Sequence, residues 1–192
     1  MLYLVLGLVV FLGTHSLRVS GDARRDALRE RLGEGRFKVV YSLLSGAGLF
    51  LVIYGFGLAR ETPEVLWTPP AGMRHLTFLL TLIAMVLLVA TYVPRNSIRA
   101  RLRHPMVLSV KVWALAHLVA NGTLAHLVLF GGFLLWSVLV FRASRKRDRA
   151  LDIEYTAGAL VPTAITAGLG LLLWLLTLGW LHGMVIGVRL MG

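Results

Sequence analysis

The sequence predicts an all-α integral membrane protein, a six-helix transmembrane bundle with a tight hairpin between its fourth and fifth spans. Three observations carry that prediction. Hydrophobic residues make up 57% of the 192-residue chain and charged residues 15%, where soluble domains hold roughly 45–50% and about 25%. With a mean hydropathy of +0.77, a soluble globule of this size has no core large enough to hide the apolar surface. Six runs approach the ~20 apolar residues that a bilayer-spanning helix needs. The basic residues fall almost wholly into alternate connections between those runs. Residues 1–192 read as a single transmembrane domain. Disorder is excluded, since it requires low hydrophobicity. The absence of cysteine excludes disulfides, thiolate metal sites and cysteine nucleophiles.

The six expected spans are Met1–Leu17, Val39–Leu58, Leu76–Val93, Met106–Ala120, Leu124–Phe141 and Ala164–Val188. The first lacks the basic start and small-residue cleavage site of a signal peptide, so it reads as a retained span. The fourth and fifth form one apolar stretch from Pro105 to Phe141. As a single helix it would run ~55 Å, too long for a ~30 Å hydrocarbon core. Asn121-Gly122 in its middle is a strong turn signal, and a helical hairpin follows.

Counting Lys and Arg by connection sets the orientation. The Arg18–Lys38 loop holds seven, Arg95–Arg103 four and Arg142–Glu154 five, against two in Arg60–Arg74 and none at Asn121-Gly122. With Arg189, the split is sixteen against three. The positive-inside rule places the sixteen in the cytoplasm, so both termini face away from it. The net charge of +11 therefore belongs to membrane topology. The bilayer is the expected partner and nucleic acid is not. Within the first basic loop, Asp22 to Gly33 reads either as an interfacial helix capped by Asp22 and ended by Gly33 or as a solvated charged loop. Gly179, Gly183 and Gly187 recur every four residues on the last span, a spacing that suits close helix packing within the bundle or in a homo-oligomer.

Ionisable residues inside a span are functional candidates by default. Ser109, Trp113, His117 and Asn121 are each four apart and share one helix face. That stripe suits either a cofactor or apolar ligand beside a neutral imidazole, or a plain interhelical hydrogen-bond seam. His104, between Arg103 and Pro105, stands at the cap of the fourth span, as a cap residue or as a contact to an anionic ligand. His75 reads as interfacial and His182 as a helix–helix hydrogen-bonding residue. Lys111 lies two turns into the fourth span, where it either snorkels to the surface or meets an anionic group of a ligand. No G-x-S-x-G, glycine-rich phosphate loop or H-E-x-x-H is present, and no catalytic residue is assigned.

Five stretches together resemble the NnrU family of bacterial membrane proteins: Phe11-Leu-Gly-Thr-His15-Ser, Arg36-Phe-Lys-Val-Val-Tyr41-Ser, Tyr54-Gly-Phe-Gly, Arg103-His-Pro-Met106 and Lys111-Val-Trp-Ala-Leu-Ala-His-Leu-Val-Ala-Asn-Gly122. The resemblance implies a link to denitrification, through expression of nitrite and nitric oxide reductases. The family is similar in turn to zeta-carotene isomerase, a membrane protein that carries haem b and isomerises a double bond of a long polyene. The histidine ligands of that haem match His15 and His117. The resemblance thus implies a haem b protein acting on a lipophilic small molecule, isomerase-like. Its iron ligands would be His117 and His15, with His104, Trp113 and Asn121 around the cofactor. The topology sets His15 and His117 at levels ~18 Å apart, so His15 with His104, or His117 with His126 or His182, also stand as pairs. A non-catalytic factor for assembly or regulation of nitrite and nitric oxide respiration is an alternative. A third is an S-adenosylmethionine-dependent membrane methyltransferase. The isoprenylcysteine carboxyl methyltransferases share the Arg-His-Pro element, but here Met106 replaces the aromatic that follows it. Only Glu154-Tyr155 stands where their second motif would be.

Overall fold

The structure, a computed structural model, describes residues 1–17, 19 and 22–190, without the side chains of residues 22 and 23. Arg18, Gly192 and the side-chain cap expected of Asp22 lie outside the described residues. The described chain is helical: α1 (Leu2–His15), α2 (Asp22–Leu32), α3 (Glu34–Glu61), α4 (Met73–Tyr92), α5 (Ser97–Leu102), α6 (Pro105–Ala120), α7 (Leu124–Ala150), α8 (Leu160–Leu176) and α9 (His182–Ile186). A π-helical turn, Thr177–Leu181, joins α8 to α9 without a break. Four of these helical stretches are long and apolar enough to cross a membrane: Glu34–Glu61, Met73–Tyr92, Leu124–Ala150 and Leu160–Ile186. Leu2–His15 and Pro105–Ala120 are shorter apolar helices.

Several boundaries follow from local chemistry. The charged loop after α1 folds into α2, and Gly33 at φ 74° turns the chain into α3. Helix α3 starts five residues ahead of its apolar run, where Lys38 pairs with Glu34 one turn away at 2.8 Å. Asn96 is buried and caps α5: its Oδ1 accepts from Arg99 N at 2.7 Å, and its amide donates to the Ala90 and Val93 carbonyls. Pro105 opens α6 at the first turn, where its missing N–H costs nothing. The chain leaves the helix at Asn121–Thr123, and Thr123 caps α7 by accepting from His126 N. Helix α7 then runs well past Phe141, into the basic segment.

Side-chain and backbone pairings fix the helix directions. Gly48 faces Phe11, Gly7 faces Val52 and Gly55 faces Leu4, so α1 and α3 run antiparallel in backbone contact. Ser109 Oγ donates to the Ala84 carbonyl at 2.7 Å and Thr77 Oγ1 to that of Ala116, which sets α4 and α6 antiparallel. Gly170 abuts Val86, and Trp174 Nε1 donates to Thr81 Oγ1, which does the same for α4 and α8. Gly132 of α7 meets Leu8 and Leu12 of α1, and Leu4, Leu8, Val52, Ala114, Leu129 and Phe130 form the core among α1, α3, α6 and α7.

The glycines that bring helix backbones together are thus Gly7, Gly48, Gly55 and Gly170, while Gly122 and Gly158 do so between loops and helix ends. The stripe of the last span is used differently. Gly187, at φ 77°, ends α9 in the left-handed region, and a Cβ on Gly183 would meet Arg189 of the same terminal segment at 3.4 Å.

The loops gather at two ends. At one, Leu66 N and Trp67 N donate to the Gly122 carbonyl and Leu124 N to that of Glu64, so residues 62–70 strap the α6–α7 connection. At the other, Ser97 N donates to Thr163 Oγ1 at 2.8 Å and Ala159 N to the Arg95 carbonyl, joining the loops before α5 and α8.

Candidate functional site

His15 sits at the last turn of α1, at the basic end of the bundle. Its Nδ1 donates to the Phe11 carbonyl at 2.7 Å. That bond fixes the tautomer and leaves Nε2 as a lone pair, the arrangement found behind most metal-bound imidazoles. Its ring stands 4.3 Å from Phe11, 5.5 Å from Tyr41 and 6.4 Å from Trp136, centroid to centroid. The α1–α3 register explains this company, since pairing Gly48 with Phe11 brings Ser45 level with Thr14 and sets Tyr41 beside the end of α1. His15 lines a cavity of about 390 Å³ together with Thr14, Arg25, Phe37, Lys38 and Tyr41. An apolar cavity of about 270 Å³ adjoins it, sharing Thr14, Leu17, Phe37 and Tyr41 and lined also by Leu28 and Leu32 of α2. Nearby, Trp136 Nε1 and Ser45 Oγ are buried without a hydrogen-bond partner. Such groups are rare in a finished interior.

His117, toward the other end of the bundle, is held differently. Its Nδ1 donates to the Trp113 carbonyl at 2.8 Å, and its ring stacks on Phe130 at 4.5 Å. Asn121 Nδ2 donates to the His117 carbonyl on the same helix. Ser109 is the one member of the stripe whose side chain bonds across to α4. His126 also stacks on Phe130, at 5.9 Å, and its Nδ1 bonds Thr123 Oγ1. His182 Nδ1 donates to the Val188 carbonyl within its own terminal segment.

The two histidines matched by resemblance to haem ligands are not brought together. Phe133 lies between them, 6.0 Å from Phe11 on the His15 side and 5.6 Å from Trp113 on the His117 side. Their ring neighbours on α7, Trp136 and Phe130, are separated by six residues, ~9 Å of helix. Two axial ligands of one iron stand only about 4 Å apart. Nor does His104 join His15. Among the described residues, no group of three or more His, Asp or Glu could hold a metal ion. The donor set of the first chamber is therefore one imidazole with a fixed tautomer, two cations and the hydroxyls of Thr14, Tyr41 and Ser42, with Leu17 and Phe37 as its apolar lining. A planar group carrying carboxylates and taking a single axial histidine fits that set.

His104 occupies the cap position of α6 without capping it. Its Nε2 instead donates to Asp148 Oδ2 at 2.8 Å, and Tyr155 OH donates to the same oxygen at 3.0 Å. Asp148 is buried on the extension of α7. Burial, and then the bond to the Asp148 carboxylate, push the Tyr155 phenol above its ordinary pKa. Sequence reasoning missed Asp148, Tyr155, Tyr41, Trp136, Arg25 and Lys38. Tyr155 had a signal in its place after Glu154, and Lys38 and Tyr41 in the family-like stretch Arg36-Phe-Lys-Val-Val-Tyr41-Ser; the others had none.

Helices this long and apolar, packed by direct backbone approach, belong to a multi-pass membrane protein. The family model described as NnrU protein matches residues 3–190, and the chain belongs to that family. No curated protein and no solved structure matches it.

Proposed function

We propose that this protein carries haem b in the bacterial inner membrane, held by His15, and acts there on a lipophilic molecule. Its place beside nitrite and nitric oxide respiration follows from family resemblance alone. The observation that carries the reading is the His15 chamber, where a fixed imidazole tautomer lines a cavity that also holds Arg25 and Lys38. Haem b there would supply a redox-active iron whose potential depends on the axial imidazole and the dryness of the site. The Phe11 carbonyl orients that imidazole. Arg25 and Lys38 hold the carboxylates. Their present partners, Asp26 at 3.6 Å and Glu34 at 2.8 Å, are exposed, and exposed pairs exchange at little cost. Leu28, Leu32 and Val40 line the apolar side.

In this reading the chain crosses the membrane six times. Helices α1 and α6 are the short crossings, about 21 and 24 Å at helical rise. The antiparallel pairings α1–α3, α4–α6 and α4–α8 agree with that path. So does the gathering of α2, α5, His104 and Tyr155 at the basic end.

The test is an absorption spectrum of protein purified from haem-replete cells, before and after dithionite. A Soret band that shifts on reduction is expected, lost in His15→Ala and kept in His75→Ala and His117→Ala. Loss in His117→Ala with retention in His15→Ala would move the site to the other end and overturn the assignment. A colourless, intact protein leaves the non-catalytic membrane factor in its place.

A further inference from the structure

We propose that Lys111 and Arg103, beside His104, form a second site, separate from the His15 chamber, that binds a phosphate-type oxyanion at the basic end of the bundle. The first observation is an unpaired charge. Lys111 is half-buried within the apolar run of α6, and its ammonium stands 6.0 Å from the Phe141 ring centroid. Among the described residues no carboxylate lies within ion-pair reach of it or of Arg103. A cation inside a span is costly and marks a binding or transport group by default. Side chains on a helix lean toward its N-terminus, and a lysine stem follows apolar surface in that direction. Lys111 thus reaches back toward His104, whose ring meets the same Phe141 edge-on at 6.1 Å.

The second observation is how Arg103 is held. It lies at φ 71°, ψ −52°, and the following residue, His104, donates its N–H to the Leu102 carbonyl at 2.9 Å. This is a γ-turn of the strained hand, which a non-glycine residue keeps only where its surroundings hold it. What holds it is on the far side of the connection. The guanidinium lies 5.2 Å over the Tyr155 ring, and His104 is bonded to Asp148. The strained turn therefore delivers two neighbouring side chains to one place.

The third observation is the charge balance. Asp148 is the only buried carboxylate of the cluster, and its Oδ2 already accepts from His104 and Tyr155. Asp152 and Glu154 on the adjoining segment are exposed. Arg103 acts on Asp148 only from beyond ion-pair distance, and Lys111, half-buried, has no acid beside it. An arginine fork and a lysine point charge are the donors that oxyanions select. The oxyanion has two physical sources, the headgroup of an anionic lipid of the facing leaflet or a soluble phosphate.

Thermal unfolding of the full chain in nanodiscs tests this, because an anion bound only to the folded state raises the melting temperature. Phosphatidylcholine discs serve as the base, with either phosphatidylglycerol or inorganic phosphate added. A rise of about 3–5 °C is expected from one of the two at saturating ligand. The lipid arm reads a headgroup and the phosphate arm a soluble ligand. Lys111→Met and Arg103→Gln should each abolish the rise, while Lys146→Met, which removes an exposed charge at the same end, should keep it. Lys111→Met removes an unpaired charge from an apolar run, so its own melting point should not fall. No rise from either addition, or a rise that survives both Lys111→Met and Arg103→Gln, overturns the proposal. The Soret band reports the His15 chamber separately, so either reading can fail alone.

Discussion

Gly48 of α3 and Phe11 of α1 meet so closely that a Cβ on the glycine would stand 2.7 Å from the Phe11 backbone nitrogen. Gly7 makes the same approach to Val52 at 2.5 Å, one turn and more along the pair. With no hydrophobic drive between helices in lipid, such contacts supply the packing that side chains supply in water. Gly48→Leu is therefore expected to destabilise the protein by about 3 kcal/mol, the upper part of the range for overpacking, because backbone cannot step aside. Gly46 has nothing within 4 Å of its would-be Cβ, and Gly46→Leu should stay within about 0.5 kcal/mol of the parent. Thermal unfolding in detergent compares them. Equal melting points would refute the interface.

By the positive-inside rule, the sixteen-to-three split of basic residues puts the basic end of the bundle in the cytoplasm. A phosphatase fused after Gly192 should be active, as it is only in the periplasm, and one inserted after Asp152 should be inactive. The opposite pattern would invert the bundle and place the His15 chamber at the periplasmic face.

If Arg25 and Lys38 hold the carboxylates of haem, their loss should weaken binding without moving the iron's ligand. Each partly exposed pair contributes about 0.2–1 kcal/mol, so Arg25→Ala with Lys38→Ala should lower haem affinity roughly tenfold. The Soret position should not change. Titration of haem into the haem-free protein measures this, and an unchanged dissociation constant would detach both residues from the cofactor.

The apolar helices were legible because their signal is local. Asn121-Gly122 marks the break between α6 and α7, Val39–Leu58 lies inside α3, and Leu76–Val93 overruns the end of α4 by one residue. Helix ends were less so. Helix α3 begins at Glu34 because of the Glu34–Lys38 pair, and α7 continues to Ala150 through a basic segment that hydropathy reads as loop. The sites depended on what cannot be read locally. His104 was singled out for its place beside Pro105, but its partner Asp148 is forty-four residues away and arrives only because α6 and α7 pack antiparallel. His15 and His117 were matched as a pair by resemblance, and Phe133 between them is visible only in three dimensions. The glycine stripe of the last span shared its spacing with true packing faces. The face in use, Gly48 and Gly55 against α1, is spaced by seven and depends on a partner helix that the spacing does not name.

The bond from Tyr155 to Asp148 makes the basic end sensitive to alkali. The phenol's pKa is raised in the fold, by burial first and by the neighbouring carboxylate second, above an unfolded value of about 10. A raised acid of this kind stabilises the protein fully below its unfolded pKa. The contribution is lost as pH climbs from about 10 through the folded value, because the folded state holds the proton longer than the unfolded state does. Within that window the loss approaches 1.4 kcal/mol per pH unit at most, and less here because the ring is partly exposed. Tyr155→Phe keeps the aromatic face under Arg103 and removes only the hydroxyl. It should lower stability near pH 8 by about 1 kcal/mol, at the low end for a bond to a charged acceptor. It should also flatten the stability curve above pH 10 relative to the parent. Chemical unfolding followed by tryptophan fluorescence between pH 8 and pH 11 gives both numbers. Parallel curves for parent and variant above pH 10 would mean that Tyr155 does not carry the alkaline response.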